Sequence, residues 1–250
     1  MRLCVAIPCF FKGADFCDAI RMVASLGYDA VETYNWQSLD LDAVKRTLDE
    51  EGVELLSICT TEFRLTDPQY REDFVEGVRR SCAAARKLGT RKMITQVGAD
   101  TGAPREEQHA SIVAGLRAAE PILRENGVTL MIEPLNVLVN HKGYYLPRAE
   151  EAFEIIREVN SPFVKVIYDI YHQQVTEGNI IPTVLGNLEH IAHLHGAGHP
   201  GRHELQDGES NYRVIIDRID AAGYEGAFGL EYSPLLAPVE SLKIAKELFG

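Results

Sequence analysis

The stretch T-L-M-I-E at Thr129–Glu133 is followed at once by Pro134-Leu135-Asn136. Its first four residues can form a buried strand, and the proline stops that strand directly after the carboxylate of Glu133. A charge at the end of an apolar strand costs several kcal/mol unless a metal ion or a polar group of a substrate pairs with it. The stretch therefore predicts a strand that ends in a functional carboxylate.

Three later stretches repeat this pattern. The three predicted strands and the residues that directly follow them are, in order, Val164–Tyr168 and Asp169, Ile191–Leu194 and His195, and Ala227–Leu230 and Glu231. The end residues follow one another, starting from Glu133, in steps of 36, 26 and 36 residues, each long enough for a loop, a helix and the next parallel strand. Two Glu, one Asp and one His at four successive strand ends predict one mixed oxygen and nitrogen site for a divalent cation.

Strands and helices alternate along the whole chain, without a Pro-, Gly- or Ser-rich linker to divide it. The four earlier strands are predicted at Leu3–Ile7, Asp29–Val31, Glu54–Ile58 and Lys92–Thr95. The helices are predicted at about Asp15–Leu26, Leu41–Glu51, Pro68–Leu88, Arg105–Asn126, Pro147–Val159, Ile181–Leu188, Glu209–Ala222 and Pro238–Leu248. Pro147 is placed in the first turn of its helix. Eight such units predict a parallel sheet closed into a (β/α)8 TIM barrel, one α/β domain over residues 1–250.

A doubly wound open sheet is the alternative arrangement. It would require a glycine-rich phosphate loop after the first strand, whereas the chain has Ile7-Pro8-Cys9-Phe10 at that place. In a barrel the chemistry lies at the carboxyl ends of the strands. Lys92 and Lys165 fall at strand starts, which argues against a Schiff-base lysine. Glu32 ends the second strand without a matching string and is interpreted as a polar residue of the rim.

The composition excludes some classes of function. A formal net charge of −12 argues against binding to nucleic acid, because phosphate backbones are bound by clustered Lys and Arg. The chain has no apolar run long enough to span a membrane and no signal-peptide pattern, so we expect a cytoplasmic protein that does not contact a membrane. The five cysteines show no paired metal-binding spacing.

Four local strings resemble the signature segments of hydroxypyruvate isomerases. The strings are L-M-I-E-P-L-N at Leu130–Asn136, Y-D-I-Y-H-Q-Q at Tyr168–Gln174, G-R-H-E at Gly201–Glu204 with G-E-S-N-Y at Gly208–Tyr212, and G-L-E-Y-S-P at Gly229–Pro234. That group belongs to the xylose-isomerase-like barrel superfamily, which also contains ketose 3-epimerases and abasic-site endonucleases. The resemblance covers essentially the full chain, although these strings all lie in its second half.

The resemblance implies a ligand set and a substrate class. It implies that Glu133, Asp169, His195 and Glu231 hold one Mg or Mn ion, with Co as a further candidate, and that Glu133 and Glu231 are the catalytic acid and base. It also implies that His172 and Arg202 bind the substrate, a small sugar or hydroxy-keto acid. The family members form dimers or tetramers, so a homo-oligomer is expected.

Two positions depart from the hydroxypyruvate isomerase pattern. That group tends to carry Gln where this chain has His195, and ketose epimerases carry His there. It also tends to carry Lys where this chain has Ser233, which weakens the case for a substrate with a carboxylate. The endonucleases need three metal ions, many more ligands and a basic groove, and eight histidines with a net charge of −12 do not supply them.

Proton transfer at a carbon next to a carbonyl is the chemistry that these groups suit. A divalent cation stabilises the developing enediolate as a Lewis acid, while two carboxylates remove and return the proton. Return to the neighbouring carbon gives an aldose-ketose isomerisation, and return to the same carbon from the other face gives an epimerisation. A non-catalytic sugar-binding barrel that has kept the ligands is the alternative of another class.

Several individual assignments stay open at this point. His193 lies two residues before His195 on the same strand face, so it competes for the ligand position and is otherwise expected inside the barrel. Arg202 can instead form a surface ion pair with Glu204 or Glu209. His172 can instead cap a loop. Trp36, with Phe10 and Tyr34, can form an apolar wall over the sugar, or it can pack against the last helix.

Overall fold

Eight parallel strands close into a barrel in the order in which they occur along the chain, in a computed structural model that describes residues 1–249. The strands are β1 (Arg2–Ala6), β2 (Ala30–Glu32), β3 (Glu54–Cys59), β4 (Lys92–Thr95), β5 (Thr129–Ile132), β6 (Val164–Asp169), β7 (Ile191–Gly196) and β8 (Ala227–Leu230). β1 pairs with β2 and with β8, which closes the sheet. The predicted (β/α)8 barrel is confirmed.

Helices follow the strands on the outside of the barrel. They are α1 (Ile7–Phe10), α2 (Phe16–Ser25), α3 (Leu41–Glu51), α4 (Arg71–Leu88), α5 (Arg105–Asn126), α6 (Ala149–Val159), α7 (Ile170–Thr176), α8 (Ile180–Leu185), α9 (Tyr212–Ala221) and α10 (Pro238–Phe249). Side chains between the helices and the outer face of the strands form one large apolar core. None of these helices is both long and apolar enough to cross a membrane.

Capping groups define the ends of the helices that the sequence locates best. The carboxylate of Asp40 accepts hydrogen bonds from the backbone N–H groups of Asp42 and Ala43 at the start of α3. Gly52 ends the same helix with a φ of 65°, a left-handed conformation that glycine adopts without steric cost. The predicted bounds of α3 agree with the structure, and so do those of α5.

The predicted starts of α6 and α9 are wrong, and two short helices are missing from the prediction. Pro147 lies outside α6, because Arg148 takes the cap position and the first helical residue is Ala149. α9 begins at Tyr212 rather than at Glu209, because the Asn211 side chain caps it by accepting from the N–H of Val214. The short helices α1 and α7 were not expected, since each begins where a strand prediction ends.

The inner face of the barrel changes in character along its axis. Small and apolar side chains fill the end at which the strands begin, a cluster of Cys4, Ala30, Leu56 and Ala227. Further along the axis, some of the positions that point into the barrel carry polar side chains. They include Glu32 in β2 and His195 in β7, both buried. The register pairs Asp169 with His195, and His195 with Gly229, so these residues lie at one level.

Glu204 ties the loop after β7 to the loop after β8. It is fully buried, and its carboxylate accepts hydrogen bonds from the backbone N–H groups of Leu235, at 3.0 and 3.1 Å, and Leu236, at 3.1 Å. Burial acts to raise the pKa of Glu204, but the two backbone donors together lower that pKa below its usual value. The ionised carboxylate is therefore the form that stabilises these loops.

A Glu204→Gln variant is expected to lower the free energy of unfolding at pH 7 by about 1.5–3 kcal/mol, the usual contribution of hydrogen bonds to a charged group. Because the pKa is lower in the folded state, the contribution is complete above the ordinary value of 4.5 and is lost as the pH falls below it. Urea unfolding of both proteins at pH 7 and pH 4 measures this, with exposed Glu225→Gln as the control. An equal loss of stability at both pH values would contradict the assignment.

Candidate functional site

Four side chains from four neighbouring strands meet at the carboxyl end of the barrel. Glu133 follows β5, Asp169 ends β6, His195 lies in β7 and Glu231 follows β8. Each offers one ligand atom such that the four atoms lie within 4.8 Å of one another. The structure thus brings together the four residues that the repeated strand endings single out.

The cluster fits a divalent cation. Three carboxylates and one imidazole form a donor set that suits Mg, Mn and related metals. Nδ1 of His195 is buried, lies 3.3 Å from the Glu231 carboxylate, and has no hydrogen-bond partner among residues 1–249. A buried imidazole nitrogen without a partner is costly, and a bound cation would satisfy it. This group of Glu, Asp and His residues can therefore bind a metal ion.

Asp169 uses its two carboxylate oxygens differently. Oδ1 caps α7, since it accepts from the backbone N–H of Tyr171 at 2.8 Å and, more weakly, from that of His172 at 3.4 Å. Oδ2 faces the cluster, where Arg202 lies 3.3 Å away. The same residue therefore starts the helix and points one oxygen at the site, and its orientation is fixed by the backbone that follows it.

Two side chains hold Glu231. The hydroxyl of Tyr34 donates to Oε1 at 2.5 Å, and the guanidinium of Arg202 donates to Oε2. Burial acts to raise the pKa of Glu231, but the positive charges of Arg202 and His195 hold that pKa well below its usual range. Glu231 is an ionised carboxylate.

Glu133 has a different environment from Glu231. Its carboxylate has no hydrogen-bonding or ion-pairing partner within the part of the chain that the structure describes. Burial raises the pKa of Glu133 to about 8, and the nearby charge of Glu231 adds to the rise. Burial also raises the pKa of Asp169 to about 6, although Arg202 opposes this. The environments thus separate the two glutamates in their affinity for a proton.

His172 is fully buried beside the cluster, and its neighbours determine its tautomer. Asn136 donates to Nδ1 through its backbone N–H at 3.2 Å and through its side-chain amide at 2.7 Å. The amide is held in this orientation because its oxygen accepts from the N–H groups of Val139 and Asn140. The proton of the neutral ring therefore lies on Nε2, which is 3.5 Å from Asp169 and faces the site as a donor.

Arg202 lies in the site and not in a surface ion pair. Its guanidinium bridges Asp169 and Glu231 and lies over the ring of Tyr171, 5.2 Å from the centroid. Glu204, a partner considered from the sequence, binds the backbone of the loop after β8 instead. Arg202 has a φ of 61°, an uncommon left-handed conformation for a residue with a side chain. The conformation of the loop after β7 therefore places the guanidinium of Arg202 at the cluster.

Glu32 is not a rim residue, and this prediction is wrong. It is fully buried inside the barrel, where its carboxylate lies between the rings of His193 and His195. His193 is also fully buried, as expected of an interior histidine. The alternation of side chains along a strand could have identified Glu32, because it gives Glu32 an inward position at the end of β2. In the closed barrel, that position lies beside the inward residues of β7.

A cleft of about 400 Å³ opens beside the cluster. It is lined by Tyr34, Asn35, Gln37, Cys59, Thr60, Thr61, Phe63, Ile94, Thr95, Gln96 and Glu133. Its polar lining groups are amides, hydroxyls and the Glu133 carboxylate, so it suits a small molecule with several hydroxyl groups. Trp36 packs beside it, where the indole N–H donates to the carbonyl of Cys59 at 2.8 Å.

Comparison with known proteins gives a match over most of the chain. The family model described as a xylose isomerase-like TIM barrel matches residues 20–248. Among curated proteins, the hydroxypyruvate isomerase of Escherichia coli (strain K12) is 30% identical over 243 residues, which cover 94% of this chain and 94% of that protein.

Solved structures extend the comparison of the fold. A chain described as AP endonuclease, family 2, from Brucella melitensis superposes with a TM-score of 0.92 at 24% identity and covers 96% of each chain. The 3-keto-D-glucoside 4-epimerase of E. coli superposes with a TM-score of 0.87 at 18% identity and covers 99% of each chain. At these identities the two structures support the fold and not a shared activity.

Proposed function

Because this chain belongs to the xylose isomerase-like TIM barrel family and is an enzyme of the isomerase or epimerase class, we propose that it is a metal-dependent isomerase of a small hydroxy-keto compound. The observation that supports this most is the convergence of Glu133, Asp169, His195 and Glu231 within 4.8 Å. It places two glutamates and one candidate cation site around the same point.

We propose that these four side chains hold one Mg or Mn ion. When bound, such an ion supplies Lewis-acid polarisation of the substrate carbonyl and of the adjacent hydroxyl. His195 would present Nδ1 to it, since that nitrogen is buried and unpartnered among residues 1–249. The carboxylates would contribute oxygens, and their mutual repulsion would be relieved by the positive charge.

Glu133 and Glu231 then transfer the proton. They arrive from β5 and β8, which are not adjacent in the barrel, so they can approach a substrate from two directions. One carboxylate takes a proton from the carbon next to the carbonyl, and the other delivers a proton to the product carbon. The contrast between the partnered Glu231 and the unpartnered Glu133 suits an acid and base pair.

His172 and Arg202 are proposed to position the substrate. Nε2 of His172 carries a proton, faces the cluster and has no hydrogen-bond partner within residues 1–249, so it is a donor for a substrate oxygen. Arg202 offers a guanidinium at the same point and suits an anionic or enolate oxygen. Trp36 is proposed to shape the wall of the neighbouring cleft.

A ketose 3-epimerase is the second candidate, and the cleft beside Glu133 favours it. Amides and hydroxyls line that cleft, and none of its lining residues in the described chain is Lys or Arg, which suits the uncharged tail of a longer sugar.

A different contact favours a substrate with a carboxylate. On the opposite side of the mouth, the ammonium of Lys12 donates to Ser233 at 3.2 Å. The ammonium of Lys12 could therefore take the place of the lysine that hydroxypyruvate isomerases tend to carry at the position of Ser233, which supports a substrate with a carboxylate.

Proton NMR in deuterated water tests the function. The full chain is loaded with Mn for turnover, the Mn is removed before the spectra are recorded, and hydroxypyruvate and a panel of ketoses are compared. Solvent deuterium at carbon 1 or 2 with an aldose product supports the isomerase, and deuterium at carbon 3 with the ketose retained supports the epimerase. Binding of a sugar without deuterium exchange, in a protein with bound metal, would favour a non-catalytic barrel and contradict both.

A further inference from the structure

Glu32 is a buried carboxylate that the proposed proton transfer does not use. Its side chain is fully buried at the end of β2, below the cluster that faces the mouth of the barrel. The hydroxyl of Ser57 donates to Oε2 at 2.7 Å, and Nε2 of His195 lies 3.0 Å from Oε1. Since a buried carboxylate is strongly unfavourable without such partners, its partners indicate what it does.

His195 is held from both sides of its ring. Nε2 contacts Glu32, while Nδ1 faces the Glu231 carboxylate at 3.3 Å. With a cation bound, the imidazole would be neutral and would carry one proton, so an N–H donated from Nε2 to Glu32 would leave the lone pair of Nδ1 directed at the cluster. A carboxylate behind a histidine ligand orients the ring and raises its basicity in many metal sites.

The strands around Glu32 are shaped to allow this contact. The ladder between β2 and β3 shifts register between Val31 and Glu32, which places Glu32 opposite Ser57. Across the barrel, a Cβ on Gly229 would lie 2.4 Å from Glu32 Oε1 and 2.5 Å from Cδ2 of His195. Gly229 has an ordinary φ, so the backbone does not require glycine there and the missing side chain serves to provide space.

We propose that Glu32 is a positioning residue, which fixes the ring of His195 so that Nδ1 is presented to the cation. The inference rests on the proposed function, because it assigns Glu32 to the same metal site. His193 completes the arrangement: its Nε2 lies 3.3 Å from Oε2 of Glu32, and its ring packs edge-on against His195 with centroids 5.0 Å apart.

A second cation held by Glu32, His193 and His195 is the competing account, since their ligand atoms also lie within 4.8 Å of one another. That ion would compete with the hydrogen bonds that Ser57 and His195 make to the Glu32 carboxylate. The two accounts differ in the number of ions per chain, and the experiment counts them.

Manganese titration of the full chain, followed by electron paramagnetic resonance of the free ion, gives both the stoichiometry and the dissociation constant. A Glu32→Gln variant is expected to bind one ion with a dissociation constant about 10- to 100-fold above that of the unchanged protein. Glu54→Gln is the matched control: this carboxylate lies at the start of β3, at the opposite end of the barrel, where it pairs with Arg2. It is expected to leave the dissociation constant unchanged.

A Ser57→Ala variant provides a milder test that also applies if Glu32→Gln does not fold. It removes one hydrogen bond to Glu32 without adding volume, and a rise in the dissociation constant of about fivefold is expected. A purely structural role for Glu32 would lower the stability of the metal-free protein and leave the Mn affinity of the folded chain unaltered.

The remaining outcomes separate the inference from the proposed function. If the unchanged protein binds one ion and both variants bind it equally well, Glu32 does not position His195, while the proposed metal site stands. If the unchanged protein binds two ions and Glu32→Gln loses one, Glu32 is a ligand and the inference is overturned. If the unchanged protein binds no Mn, the proposed function fails first and the inference with it.

Discussion

Glu133→Gln and Glu231→Gln are each expected to lower kcat by a factor of about 10² to 10⁴ at saturating Mn, the range that general acid and base groups contribute. Glutamine keeps the size of the side chain and one oxygen that can face a cation, but it cannot accept and return a proton. The two variants should be similarly impaired, because one glutamate must remove the proton and the other must supply it.

Metal occupancy must be measured beside kcat, because both glutamates are also proposed as ligands. Elemental analysis of each variant after loading with Mn separates lost proton transfer from lost metal. Glu225→Gln, which replaces an exposed carboxylate in the turn between α9 and β8, is the control and should retain activity. A fully loaded Glu133→Gln or Glu231→Gln variant with unchanged kcat would show that this residue carries no proton.

Removal of the metal is expected to have the other large effect. Dialysis against a chelator should abolish activity, because it removes the Lewis acid that would stabilise the charge developing on the substrate oxygens. Readdition of Mn or Mg should restore it. The three clustered carboxylates should also make the metal-free protein less stable: at a metal concentration of one hundred times the dissociation constant, binding adds about 2.7 kcal/mol to the free energy of unfolding.

Thermal unfolding with and without Mn measures the second part of this expectation. The Asp169→Asn variant is a suitable comparison, because asparagine can still cap α7 through its side-chain oxygen while the charge at the cluster is lost. Its melting temperature should respond less to Mn than that of the unchanged protein. A chelated protein, shown by elemental analysis to hold no metal, that keeps full activity would contradict a role for the cation.

The repeated strand endings could be recognised in the sequence because they are local. An apolar run that ends in Glu133, Asp169, His195 or Glu231 is visible within about six residues, and the closed barrel then brings four such ends to one mouth. The fold and the convergence of these four side chains therefore follow from patterns that need no knowledge of tertiary contacts.

The supporting contacts could not be recognised in the same way. Glu32 and His195 are separated by 163 positions in the chain, and their contact depends on a register shift after Val31 and on the missing side chain of Gly229. The N-capping of α7 by Asp169 is not visible in the sequence, because the same residue also ends β6. Such features depend on geometry that pairs of distant strands create together.

The most direct test of the account is a crystal structure of the Mn-loaded protein with anomalous diffraction data collected near the manganese absorption edge. We expect one strong anomalous peak per chain, bounded by the carboxylates of Glu133, Asp169 and Glu231 and by Nδ1 of His195, with Glu32 behind the imidazole. A fully loaded protein whose anomalous peak lies away from these four residues would contradict the central claim that they bind a single cation between two proton-transferring glutamates.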